Sequence, residues 1–354
     1  MAVLNDEQEM LRDMAREWTK NEHPVGAWRK VRDAGEPFDA EAWGEMGEMG
    51  WAGIVIPEEH GGTDFGWLSL GLVIEELGKS LAASPLVASA LAASAIVLGG
   101  SDEQKAEYLP RLATGELIGT LAFDEGPRHT GLKVSTSVHD GRLTGTKAFV
   151  HEASRAELFV VLAHDGVYLV EKGAGVALSK RSMVDMRDHA EIDFNDAPAQ
   201  KLASGGDDLA QKILDRARVL TAAEMLGMCQ AVFDTTLDYL KQRVQFNQVL
   251  SSFQALQHRM ADLFTELELA RSAVEGGLQA VDSGFAVSEA ATLAKARAND
   301  ALHLISREGV QLHGGIGMTD EYDVGFYLKR ARILEAAWGS SSYLRDRYAA
   351  MKGF

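Results

Sequence analysis

The sequence predicts a mostly helical protein with a small β domain set between two helical regions. Three observations carry that prediction. Residues 1–117 show apolar spacing of the helical kind between N-cap signals, and near residue 118 the period shortens to two over short runs bounded by Asp-Gly pairs. From about Asp207 long helical patterns resume. The expected domains are residues 1–117, 118–205 and 206–354.

In chain order, Asn5-x-x-Gln8 forms a capping-box signal for a helix through Trp18, and Asp39 is an N-cap for a helix carrying Trp43 and Met46. Met49 to Gly62 is expected as a short extended crossing with a Gly-rich turn, and Pro85 to Gly100 as a buried helix. Ser101-x-x-Gln104 caps a helix reaching Pro110. Lys133 to Val138 and Arg142 to Val150 are β-type runs joined at Asp140-Gly141; Leu158 to Ala163 and Val167 to Val170 are joined at Asp165-Gly166. Both junctions carry the type I′ signal, so a small antiparallel β domain is expected, ending near Pro198. Asp207 to Arg243 keeps helical spacing without a proline, and Ser252 to Val281, Ser288 to Leu312 and Gly339 to Met351 complete a four-helix bundle.

Composition narrows the function. An apolar content of 46% over 354 residues is that of a globular chain. A net charge of -17 argues against a nucleic-acid or anionic-membrane surface, so any polyanionic ligand must meet a local cluster of Lys and Arg. Cys229 is the single cysteine, which excludes an intrachain disulfide and points to a reducing, cytoplasmic compartment. The first ten residues lack the basic and apolar parts of a signal peptide.

Two motifs stand out. Gln311-Leu-His-Gly-Gly-Ile-Gly317 ends a helical pattern with paired glycines, which allow a turn at positive φ and the close approach of a ligand. Arg243-Val-Gln-Phe246 is followed by Phe253-Gln254 and His258; an Arg fork suits a pyrophosphate, and an aromatic ring can cover an adenine or flavin edge. Read alone, Arg243 ends a helix and Phe246 is core. With Met49 to Gly62 and Ile74 to Gly78, these stretches resemble the acyl-CoA dehydrogenases over essentially the whole chain.

That resemblance implies an N-terminal helical domain, a middle antiparallel β barrel and a C-terminal four-helix bundle. It also implies FAD as cofactor, an acyl-CoA thioester as substrate, an electron-transfer flavoprotein or similar acceptor, and an oligomer with each FAD across a subunit interface. It assigns Arg243, Phe246, Gln254, Gln311, Gly314 and Gly315 to the ADP end of a neighbour's FAD, and Phe149 to the flavin ring. The family's Thr-Glu-Pro and Gly-Ser-Asp segments correspond to Leu121 to Gly131, where the pattern is largely gone. His151 stands where the family has a hydroxyl, and reads as a strand-end surface histidine.

The reaction removes a proton from Cα, which requires a positioned carboxylate. Trp338 stands at the position of the family's usual Glu, and Ala217 at the alternative one on the first bundle helix. Glu224, two turns beyond Ala217 on the same face, is the remaining candidate base; the competing reading is a buried pair with His258 or an arginine. Glu335 is turned away from the Trp338 position. Small residues Thr221, Ala222 and Ala223 leave room for a bulky or branched acyl chain. The expected role is the base-lacking subunit of a heteromeric acyl-CoA dehydrogenase, with a homo-oligomer using Glu224, or a non-catalytic scaffold, as alternatives.

Overall fold

A computed structural model describes residues 3–204, 206 and 208–354. Backbone proximity groups them into two compact units: Met1–Trp28, Gly71–Ala82 and Arg218–Phe354 in one, Arg29–Leu70 and Ala83–Ala217 in the other.

The first helices follow their caps. In α1 (Asp6–Asn21) the Asn5 side chain accepts from the Gln8 amide at 2.8 Å while the Gln8 side chain accepts from the Asn5 amide at 3.2 Å, closing the capping box. After α2 (Val25–Ala34), Asp39 caps α3 (Ala40–Glu48). The expected extended crossing is instead two 3-10 turns, Trp51–Gly53 and Glu58–His60. Gly50 turns the chain at φ 75°, and a Cβ on Gly62 would lie 2.0 Å from the Ile56 carbonyl oxygen, so the glycines permit folding back where extension was expected. Next come α4 (Trp67–Ser80), α5 (Leu86–Gly99), buried on nearly every face, and α6 (Asp102–Ala113) with its Ser101 capping box.

The β region holds β1 (Gly119–Ala122), β2 (Ser137–His139), β3 (Arg142–His151), β4 (Leu158–Ala163), β5 (Gly166–Glu171), β6 (Val176–Lys180), β7 (His189–Pro198) and β8 (Gln200–Lys201). They form two four-stranded sheets, β1-β4-β5-β8 and β2-β3-β7-β6, and Phe159, Val161, Tyr168, Ile192 and Phe194 belong to one shared core. Three details differ from expectation. β1 pairs parallel to β4, so the region is not wholly antiparallel. The strand expected from Lys133 begins only at Ser137. Asp140 and Gly141 take φ 48° and 72° as a type I′ turn requires, whereas the second hairpin closes Ala163 on Gly166 through His164-Asp165, neither of which has positive φ. Lys201 donates to the Asp165 carbonyl at 2.9 Å and holds that turn from the side.

α7 (Leu209–Gln242) follows; its expected start, Asp207, lies outside the described residues. Two short strands, β9 (Val244–Gln245) and β10 (Gln248–Val249), then precede α8 (Gln254–Ser283), α9 (Val287–His313), α10 (Val324–Ala336) and α11 (Ser341–Met351). The sequence reading counted neither the short strands nor α10. α9 is the central element, packing on α8, α10 and α11, and buried Ala291, Ala294, Ala298 and Ala301 let those neighbours come close. Cys229 is buried, which pushes its thiol pKa up. Among the described residues no helix is long and apolar enough to cross a membrane.

α4 and α7 cross backbone to backbone. A Cβ on Gly78 would sit 2.4 Å from the Glu224 carbonyl oxygen, and one on Gly227 would sit 1.9 Å from that of Glu75. Gly227→Ala is therefore expected to cost about 1–3 kcal/mol through overpacking. Thermal unfolding checks this, with Gly26→Ala as the control, since a Cβ there meets nothing within 4 Å.

Candidate functional site

The last turn of α7 is tied to the paired-glycine turn. Tyr239 donates its hydroxyl to the His313 carbonyl at 3.3 Å and stacks on the His313 ring at 4.4 Å, with Tyr322 packed against both rings. His313 is buried, its Nδ1 lies 2.7 Å from the Gly309 carbonyl, and burial lowers its pKa, so the ring is neutral and Nδ1 carries the proton. This contact seats the hairpin that follows α7 beside the Gly314 turn.

Phe246 and Asn247 form the hairpin tip at φ 54° and 61°, with Gln245 paired to Gln248. A left-handed Phe costs about 1–2 kcal/mol. Yet Phe246 is 84% exposed and makes an edge contact with Phe253 at 6.2 Å, so burial does not offset that cost. A strained aromatic held in the open is available to a ligand or a partner. Arg243, Gln254 and His258 are also exposed.

On the facing motif, Gly314 adopts φ 65°, ψ -141°, a conformation that favours glycine, and a Cβ on Gly314 or Gly315 would meet nothing within 4 Å. Arg307, Gln311, Gly314, Gly315, Met318 and Leu328 line a cleft of about 510 Å³ there. An open glycine cradle, an exposed guanidinium and an exposed aromatic suit the ADP end of a dinucleotide.

In the β region, the register of β3 on β7 jumps from Lys147↔Ile192 to Val150↔Ala190. This bulge sets Phe149 at φ 53° and leaves it 37% exposed, free to cover a flat ring. His151 ends β3 half-buried, its carbonyl accepting from the Thr120 hydroxyl at 2.7 Å and its ring 4.4 Å from that of His189.

Glu125 escaped the sequence reading. One oxygen accepts from the amide and hydroxyl of Ser135, and the other from the amide and hydroxyl of Thr136 and from buried Lys147. Burial raises its pKa, but these bonds outweigh burial and hold the carboxyl well below its ordinary range. The partners lie ten or more residues away and follow no spacing rule, so nothing local in the sequence signals them.

At the base positions, Ala217 and Trp338 are both buried. Trp338 sits at φ 58°, and its carbonyl accepts from the Arg218 Nε at 3.1 Å. Asn299 donates to the Gly339 carbonyl at 3.3 Å, and buried Lys295 to the Leu334 carbonyl at 2.9 Å. Burial, then the charge of Arg218, pushes the Lys295 amine down to about 7. Buried donors on backbone carbonyls thus help to hold the turn. Glu224 is bound through both oxygens to Arg330, at 2.8 and 3.2 Å, which is the ion pair anticipated as the alternative to catalysis. Glu335 pairs with His303 and Arg332.

Family profiles match this chain over residues 5–116, acyl-CoA dehydrogenase N-terminal domain, and 204–352, acyl-CoA dehydrogenase C-terminal domain. A short-chain specific acyl-CoA dehydrogenase of Clostridium acetobutylicum is 32% identical, over 96% of this chain and 96% of its own. Among solved structures, the Tcur3481-Tcur3483 steroid ACAD superposes with a TM-score of 0.92 at 28% identity, covering 98% of both chains. The ChsE4-ChsE5 complex from Mycobacterium tuberculosis gives a TM-score of 0.91 at 25% identity, over 100% of this chain and 99% of that one.

Because the folded pKa of Glu125 is depressed, its contribution to stability is complete above the unfolded value of 4.5 and is lost as pH falls towards the folded value. The melting temperature of Glu125→Gln is expected to lie below that of the parent at neutral pH, and the gap to narrow below pH 4.5. Thermal melts across an acid series measure it.

Proposed function

This chain belongs to the acyl-CoA dehydrogenase family of FAD-dependent oxidoreductases, and we propose that within it the chain is the base-lacking subunit of a heteromeric enzyme. The observation that carries the reading is Trp338. The turn that presents a base in the family is intact and braced by Arg218, Lys295 and Asn299, yet the residue it presents is an indole, which cannot take a proton from Cα. Ala217 offers no carboxylate, and Glu224 is engaged by Arg330. By contrast Arg243, Phe246, Gln254, Gln311, Gly314 and Gly315 are all present and exposed, which supports a nucleotide half open to a neighbour.

In this reading those six residues bind the ADP end of an FAD whose ring lies in a related chain that keeps both the Glu and the Thr-Glu-Pro segment. When bound, FAD supplies the hydride acceptor for α,β-dehydrogenation of an acyl-CoA thioester. This chain's part is to hold and orient: Arg243 neutralises phosphate, Phe246 covers an adenine or flavin edge and the Gly-Gly turn admits the backbone of the nucleotide. The names of two structural relatives, each pairing two chain designations, support the assembly, and the steroid relative, together with small Thr221, Ala222 and Ala223, supports a bulky, ring-bearing acyl group. A cytoplasmic location, an electron-transfer flavoprotein or similar acceptor, and domains at 1–117, 118–205 and 206–354 complete the proposal.

Co-expression with a related chain that retains the base should yield one flavin per two chains. A homo-oligomer with one FAD per chain, active alone and silenced by Glu224→Gln, would overturn the reading. Arg243→Ala in the assembly should weaken FAD binding by about 1.5–3 kcal/mol, the worth of a charged hydrogen bond. Flavin bleaching by short, long and ring-bearing CoA esters identifies the acyl group.

A further inference from the structure

We propose that Arg307, outside both motifs, anchors a phosphate in the Gly314–Gly315 cleft and makes that cleft selective for a nucleoside diphosphate over the bare nucleoside. The inference rests on the reading that this chain supplies the ADP arm. Arg307 lies on α9 one turn before Gln311, on the same face, and both line the cleft. It is exposed, and among the described residues it has no ion pair or hydrogen bond from its side chain, whereas its neighbour Glu308 is taken by Arg259.

The cleft needs such a group. It opens at the C-terminal end of a 27-residue helix, whose aligned peptide dipoles place up to roughly half a negative charge there. His313, the basic residue of that last turn, is kept neutral by burial, and the chain as a whole carries -17. A bare cleft of this kind would repel a diphosphate. Arg307 is the charged residue of the lining, and its planar fork fits two phosphate oxygens, while Val310, Met318 and Leu328 give an apolar wall suited to a base.

Calorimetric titration of the full chain with ADP and with adenosine tests this. Arg307→Ala should weaken ADP about tenfold or more while adenosine changes by less than about twofold, and Arg307→Lys should recover part of the loss. Unchanged ADP affinity in Arg307→Ala, or equal losses for ADP and adenosine, would overturn the proposal, the second outcome marking Arg307 as a stacking surface. If Arg243→Ala weakens ADP while Arg307→Ala does not, this inference alone fails. If the parent chain does not bind ADP at millimolar concentration, the arm reading fails with it. Melting temperatures of the variants, expected to match the parent because Arg307 is exposed, verify the fold.

Discussion

The contact between α4 and α7 at Gly78 and Gly227 is the constraint on which the C-terminal half depends. Two helices whose backbones touch bring their flanking carboxylates close as well, and each acquires an arginine: Arg271 reaches Glu75 at 2.8 Å, and Arg330 reaches Glu224 at 2.8 Å. Arg271 also binds Gln230, so α8 is fixed to the same crossing. Removing one partner of such a pair would leave a charge poorly solvated, which is why these pairs act as register pins more than as sources of stability. With the crossing fixed, α7 becomes a ruler. It carries Arg218 to the Trp338 turn and Tyr239 to the Gly314 turn, 21 residues or about 32 Å further along its axis.

Much of the fold is legible because its signals are local. Capping boxes at Asn5 and Ser101 and the Asp140-Gly141 turn each involve residues within three positions of one another, and they formed as read. The family and the mostly helical architecture with a small β region likewise follow from the sequence. What escaped depends on distance or on broken rules. β1 finds its parallel partner β4 nearly forty residues on, and its four buried residues show no alternation to betray a strand. The β9–β10 hairpin turns on Phe246-Asn247, where turn chemistry favours glycine, so its tip does not look like a turn. Arg307 stands out only once every neighbouring charge has been matched to its partner.

The two halves of the site differ in what holds them. Around Trp338, buried donors grip backbone carbonyls and so fix the path of the turn. Around Gly314 the opposite holds: the conformation depends on the absence of a side chain, and the surface stays open. The first turn is therefore held by bonds, and the second by the lack of a side chain.

The buried thiol of Cys229 has a practical consequence. With one cysteine in the sequence, fully enclosed in α7 and with its ionisation suppressed, the folded protein offers no thiolate to a maleimide or a spin label. A cysteine introduced at an exposed position, the hairpin tip included, would become the sole labelling point. Spectroscopic rulers could then follow that tip against a background that is otherwise silent.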